Sequence, residues 1–294
     1  MNMSDRTYRL SIGNPDSEDE SEEIVIEPPF AIEFRIVRNC NPAANIGFFR
    51  LYNTESSKRN QISKDRFKPD QWRRITFSAG FGDVCPLIFQ GNISEATTHR
   101  EEADIVTEIR AYEGAYDMVN SHTSGVCGDS TMSSLIEMLA ADLKKTQGTP
   151  IIGNFDDVLE RRNTALFGNT WDLLMEYTGG RCFIDNGRLL VLNDNEAIEG
   201  DVPSITEDMG IQYDSLKHAE DMIEVDLLFE PRLIVGQEVG VETLVPPEPG
   251  NERYMIQEIV HNATLSQTEG AQWLTKVTLQ RKRADLEIIQ GGGY

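Results

Sequence analysis

In the run Phe30-Ala-Ile-Glu-Phe-Arg-Ile36 the large apolar side chains fall on even positions, with small or charged residues between them. Successive side chains of a strand point to opposite faces, so this period of two builds a strand with one buried face. The same alternation marks Tyr8–Ile12, Ile24–Ile26 after an acidic loop, and Ile105–Tyr112. Gly47–Asn53 reads as a further strand, and the polar stretch Asn53–Arg59 as the start of a short helix. Arg74–Gly82 runs into a glycine-punctuated turn, and Pro86–Gly91 with Ile93–Thr98 forms one long strand bent near Gly91. Short strands separated by turn signals at this spacing specify an antiparallel barrel or sandwich.

The pattern changes near residue 118. Met132, Leu135, Ile136, Leu139 and Leu143 follow helical spacing, with Asp129 or Ser130 as the expected N-cap and Lys144-Lys145 favourable at the far end. A second helix is expected from Asn169-Thr170 through Trp171, Leu174 and Tyr177 to Gly179-Gly180. Asp185-Asn-Gly187 between the apolar runs Arg181–Ile184 and Arg188–Leu192 specifies a tight hairpin, because Asn-Gly accepts the positive φ that such a turn needs. Strands then return at Met222–Leu228, Glu230–Leu233, Val239–Leu244, Tyr254–Ala263 and Trp273–Gln280, the last two following the proline-rich loop Val245–Gly250.

A faint repeat links the outer regions. Ile93, Ala96, Thr97 and Glu102 match Val260, Ala263, Thr264 and Glu269 at one offset. After a one-residue insertion, Ile105, Thr107 and Ile109 match Trp273, Thr275 and Val277. Either two hairpins resemble one another, or the chain holds two copies of one β module.

The formal charge of −22 has no basic counterpart: adjacent cations occur only in small groups such as Arg73-Arg74 and Arg281-Lys-Arg283. Phosphate neutralisation needs clustered cations, so tight nucleic-acid binding is disfavoured. The start MNMSDRTYRL lacks an apolar secretion core, and no apolar run is long enough to span a bilayer. Cys40, Cys85, Cys127 and Cys182 show neither zinc spacing nor a disulfide framework, and four free thiols are expected.

Catalytic motifs are weak. The histidines His99, His122, His218 and His261 are scattered, and no nucleophile-elbow pattern occurs. Cys127 beside a helix start reads as a linker thiol, Gly80-Phe-Gly82 as a turn, and Asn193-Asp-Asn-Glu196 as a turn with incomplete calcium-loop spacing. No catalytic, cofactor or metal site is expected. Two functional classes stay open beside a structural role: a cell-wall hydrolase and a peripheral glycan- or receptor-binding β module.

Several segments together resemble the central hub proteins of phage tail baseplates. They are Pro28–Phe34, Ala44-Asn-Ile46, Leu51-Tyr-Asn53, Ser78–Gly82, Ile88–Gly91, Asp104–Thr107 and Glu113-Gly114, and later Cys182–Leu189, Glu224–Leu228, Glu230–Gly236 and Tyr254–His261. That family includes late-control protein D and is related to the hub portion of type VI secretion spikes. The resemblance implies a mainly β fold, with two tail-tube-like β-barrel modules at 1–117 and 204–294 flanking an α+β middle domain at 118–203. It also implies a homotrimer whose modules make a pseudo-six-fold ring between the six-fold tail tube protein and a three-fold central spike protein, among other baseplate proteins. The expected site of action is the virion tail, assembled in the host cytoplasm, with DNA passing an acidic lumen without tight binding and with no membrane insertion. The chain is short for this family and shows no appended spike or lysozyme module, so the spike is expected on a separate chain.

The densest acidic run, Ser17–Glu23, supplies a candidate assembly loop of Glu18, Asp19, Glu20, Glu22 and Glu23. It is either a solvated hairpin tip or a contact for a basic patch on a neighbouring tail protein.

Overall fold

The computed structural model describes residues 6–13, 23–63, 72–128, 131–146, 148–155, 163–211, 217–219, 222–242, 253–264, 272–281 and 287–289. In chain order the first part contains β1 (Arg6–Ile12), β2 (Ile24–Ile26), β3 (Ile32–Asn39), β4 (Ile46–Tyr52), α1 (Ser56–Ser63), β5 (Arg74–Phe81), β6 (Leu87–Glu101) and β7 (Asp104–Tyr112). Next come α2 (Ala115–Asn120), β8 (His122–Cys127), α3 (Met132–Ala140), β9 (Gly148–Ile152), β10 (Thr164–Asn169), α4 (Thr170–Thr178), β11 (Cys182–Asp185) and β12 (Arg188–Val191). The last part holds β13 (Glu196–Ile198), β14 (Ser204–Ile205), β15 (Lys217–Ala219), β16 (Met222–Leu228), β17 (Glu238–Val241), β18 (Tyr254–Ala263), β19 (Trp273–Arg281) and β20 (Glu287–Ile289). The fold is mainly β, as the alternating runs require.

The first seven strands and β15–β19 enter one sheet. Its main path runs β15-β16-β19-β18-β3-β4-β7-β6-β5-β1-β2, with β17 paired to the start of β18 and β14 paired to β17. Read as two sets, β3-β4-β7-β6-β5 and β15-β16-β19-β18-β17 share the same spatial order, the same chain order and antiparallel pairing throughout.

The ladders fix which residues correspond. Ile46–Tyr52 lies along Tyr112–Val106 as Met222–Leu228 lies along Gln280–Leu274. Each central hairpin carries one irregularity, between Ile93 and Glu95 in β6 and between Ile256 and Glu258 in β18. On this register Ile105, Thr107 and Ile109 do correspond to Trp273, Thr275 and Val277. The earlier strand does not follow the sequence match: Ile93, opposite Ala111, corresponds to Ile256, opposite Leu279, and not to Val260. The β6–β7 turn closes at Glu101–Asp104, whereas residues 264–272 separate β18 from β19, so counting through the turns shifted the match.

Three apolar clusters fill the molecule. The first lies behind β1–β7; the second lies behind β16–β19 and takes in Ile151, Phe183, Leu190 and Leu192; the third joins α3 and α4 to β11 and β12. Helix α4 follows its sequence signals closely, with Asn169 Oδ1 accepting from Asp172 N at 3.0 Å and Gly179 closing the helix at φ 64°. The α3 cap is Thr131, whose hydroxyl accepts from Ser134 N, and not Asp129 or Ser130. Glu230–Leu233, expected as a strand, is a turn. Pro231 has no N–H for a ladder, and the Glu230 carboxylate folds back onto Arg232 N at 3.1 Å and Nε at 2.8 Å.

Candidate assembly interface

The two strand sets meet where Glu258–Ala263 of β18 pairs with Asn39–Phe34 of β3. Alternation brings Phe34 to the core side of that joint, and the second set sends Phe229, Ala263 and Trp273 into the first set's core. Phe34 lies 5.4 Å from the Trp273 ring and 6.0 Å from Phe229, both edge-on, and Phe81 stands 6.0 Å from Phe229. Edge-to-face pairs of this kind add about 0.5–1.5 kcal/mol each beyond area burial. The joint is therefore a shared core as well as a ladder.

A buried polar cluster ties the middle segment to the same joint. Arg38 continues the even-numbered buried face of β3 and is fully buried. Its Nε and Nη2 donate to the two Asp185 carboxylate oxygens at 2.8 and 2.5 Å, and Nη1 donates to Leu233 O at 3.2 Å. Asp185 sits at the β11–β12 turn, so one guanidinium holds the first set, the middle hairpin and the second set together. Beside it, Asn45 Nδ2 donates to Glu113 Oε2 and to Ile184 O, both at 2.9 Å, while Gly187 N donates to Glu113 Oε1 at 2.7 Å. Burial, and then the nearby Asp185 charge, push the Glu113 carboxyl up to about 8. His261, on the β18 side, meets Thr275 Oγ1 through Nδ1 at 2.9 Å; burial first and the Arg38 charge second hold its pKa well below the ordinary histidine value.

The opposite face of the long sheet carries partly exposed charged side chains. Glu33, Arg50, Glu108 and Thr97 form one cross-strand row, and Arg35, Phe48, Arg110 and Glu95 the next. Arg50 bonds to Glu33 at 3.0 Å, to Glu108 at 3.1 Å and to Glu101. Asp104 adds a further acid to this face, and Glu224, Asp226 and Glu258 continue it into the second set, where Lys276 answers Glu224 at 2.9 Å. Among these residues carboxylates outnumber cations, so the local field is negative despite the pairing.

The family model described as "Baseplate hub gp41" matches residues 14–269. The chain belongs to this baseplate hub family. It is thus a structural protein of a phage tail virion, not an enzyme. Solved structures share its fold at low identity. A 43 kDa tail protein of prophage MuSo2 from Shewanella oneidensis is 8% identical with TM-score 0.56, covering 93% of this chain and 98% of that one. A tail protein from Neisseria meningitidis MC58 is 8% identical with TM-score 0.57, covering 95% and 97%. The E. coli c3393 protein, described as a type VI secretion component structurally similar to T4 tail proteins gp27 and gp5, is 8% identical with TM-score 0.59, covering 95% and 79%. No curated protein matches the chain by sequence.

Glu18, Asp19, Glu20 and Glu22 lie outside the described residues; Glu23 is exposed and accepts from Ser11 Oγ at 3.0 Å. Glu196 is no open calcium ligand: its oxygens accept from Asn154 N and Asn193 N, each at 2.7 Å. All four cysteines are free thiols, with Cys127 and Cys182 buried. Among the described residues no group of metal-ligating side chains gathers. The sequence reading quoted Asn45, Glu113 and Asp185 within longer segments, but gave neither them nor Arg38 a role at the joint. Arg38 left a trace, since a charge continues an otherwise apolar even-numbered face.

Proposed function

We propose that three copies of this hub protein close into a ring in which each chain supplies two equivalent strand sets. Six sets then face the six-fold tail tube while the three chains face a three-fold central spike. The repeated five-strand order, with the two sets already joined edge to edge through β3 and β18, carries this reading. Ring closure also removes the exposed sheet edges that a lone chain presents. In this account residues 1–117 and 204–294 are the tube-like modules, and 118–203 is the domain braced against them by the Arg38–Asp185 pair. The acidic face lines the lumen, where it repels DNA over a Debye length of about 8 Å and lets the genome pass without being held. The ring assembles in the host cytoplasm with the tail tube and spike proteins as partners, and the acidic run ending at Glu23 docks a basic patch on a further baseplate protein.

Solution mass, measured on the chain alone and mixed with its tube and spike proteins, tests the reading. Three chain masses in either preparation support it. A monomer in both contradicts it.

A further inference from the structure

The internal joint specifies how one chain meets the next. Strand β18 uses one edge for two neighbours: Tyr254 and Met255 pair with β17, while Glu258–Ala263 pairs with β3. Its counterpart β6 uses the same edge for β5 along Leu87–Asn92. Beyond Asn92, among the described residues, that edge has no strand partner, and Ser94, Glu95 and Thr98–Glu101 are exposed. Helix α1 reaches this stretch through Ser63 Oγ and Thr98 Oγ1 at 3.3 Å.

The strand that would fill the edge is also identified by the repeat. β3 occupies the position on β18, and its counterpart is β15, because Arg35–Val37 pairs with Phe48–Ile46 as Lys217–Ala219 pairs with Glu224–Met222. β15 is the terminal strand of the sheet path, with β16 on one side. The chain therefore carries both halves of a second joint, one on the terminal strand β15 and one on the part of β6 that extends past β5.

We propose that Lys217–Ala219 of a second copy adds antiparallel to the free edge of β6, in the register that β3 takes on β18. Val260 opposite Val37, His261 opposite Ile36 and Asn262 opposite Arg35 translate to Thr97 opposite Ala219, Thr98 opposite His218 and His99 opposite Lys217. The contact is a β-augmentation between copies, with backbone hydrogen bonds giving the attachment. It rests on the ring reading above and specifies the joint of that ring.

Disulfide trapping tests the register. Directly opposed residues of an antiparallel pair lie about 4.5–5.5 Å apart at Cα, within disulfide reach, whereas a two-residue shift takes them beyond about 7 Å. The full chain carrying Thr97→Cys and Ala219→Cys is assembled with its tube and spike proteins, oxidised mildly and run without reductant, beside Thr97→Cys with Lys217→Cys. The expected result is a covalent ladder up to three chains from the first pair and several-fold less from the second. Trimers of normal mass that fail to cross-link, or that cross-link equally in both variants, overturn this joint and leave the ring standing. A cross-link confined to single chains shows that β15 closes on its own β6, and overturns the second-copy contact. A protein that stays monomeric takes down the ring and the joint together.

Discussion

Arg38 and Asp185 form a two-pronged ion pair with both side chains withdrawn from solvent, across 147 positions of sequence. The pair is the point at which β3, the β11–β12 hairpin and the second strand set meet. Replacing a buried pair with apolar residues can be neutral, but removing one partner leaves an uncompensated charge and costs about 3–5 kcal/mol. Asp185→Ala is therefore expected to lower stability by that amount, read as a shift of the denaturant midpoint. An unchanged midpoint removes the pair from the account of what braces the middle segment.

Glu113 gives the hub a pH dependence of definite sign. Its carboxyl is raised from 4.5 to about 8, so the folded state holds the proton that the unfolded chain releases. The stability from this group is fully present below about 4.5 and is lost as pH rises through about 8. Glu113→Gln keeps the shape and removes the titration, and its unfolding free energy should change less than wild type between those values. Parallel profiles would show that the proton is not held there. His261 acts in the opposite direction: its depressed pKa makes stability present above about 6.5 and lost as pH falls.

Phe229 and Trp273 belong to the second strand set by sequence and to the first set's core by packing. Trp273→Ala should cost about 3–5 kcal/mol. Because the lost contacts span both sets, unfolding should remain a single transition at lower denaturant. Two separated transitions would instead mean that the sets are independent units.

At the β11–β12 turn Asn186 and Gly187 take φ values of 47° and 72°. A Cβ on Gly187 would meet Gln90 Nε2 at 2.3 Å and occupy a backbone region that costs an L-residue about 1–2 kcal/mol. Gly187→Ala is expected to destabilise by about that amount, measured by chemical denaturation. Asn186→Gly should be far milder.

Replacing Glu18, Asp19, Glu20, Glu22 and Glu23 together by Ser should leave the melting temperature nearly unchanged, because exposed like charges contribute little to stability. Incorporation into tails should fall if the run docks a basic partner. Normal incorporation removes that role.

The hairpin at Asn186-Gly187, helix α4 and the alternating strands were legible because each rests on local chemistry: positive φ, a cap, a period of two. The repeat was half legible. Ile105, Thr107 and Ile109 found their true counterparts, but the β6 match slipped, because sequence matching runs through turns whose lengths differ while ladders do not. Strands β8 and β10 gave little signal: His122-Thr-Ser-Gly-Val-Cys127 is short and mixes small polar residues with few apolar ones. The Arg38–Asp185 cluster and the β3–β18 joint were out of reach for a different reason. They pair residues far apart in the chain, and only the closed sheet brings them together.

The central claim is that the two strand sets are equivalent units of one ring. A density map of the purified hub assembled with its tube and spike proteins tests it most directly. The account predicts three chains, six strand sets at near-equal angular spacing, and a lumen lined by Glu33, Glu95, Glu108, Glu224 and Asp226. A ring of another copy number, two sets at unrelated radii, or a lumen wall dominated by basic side chains would contradict it.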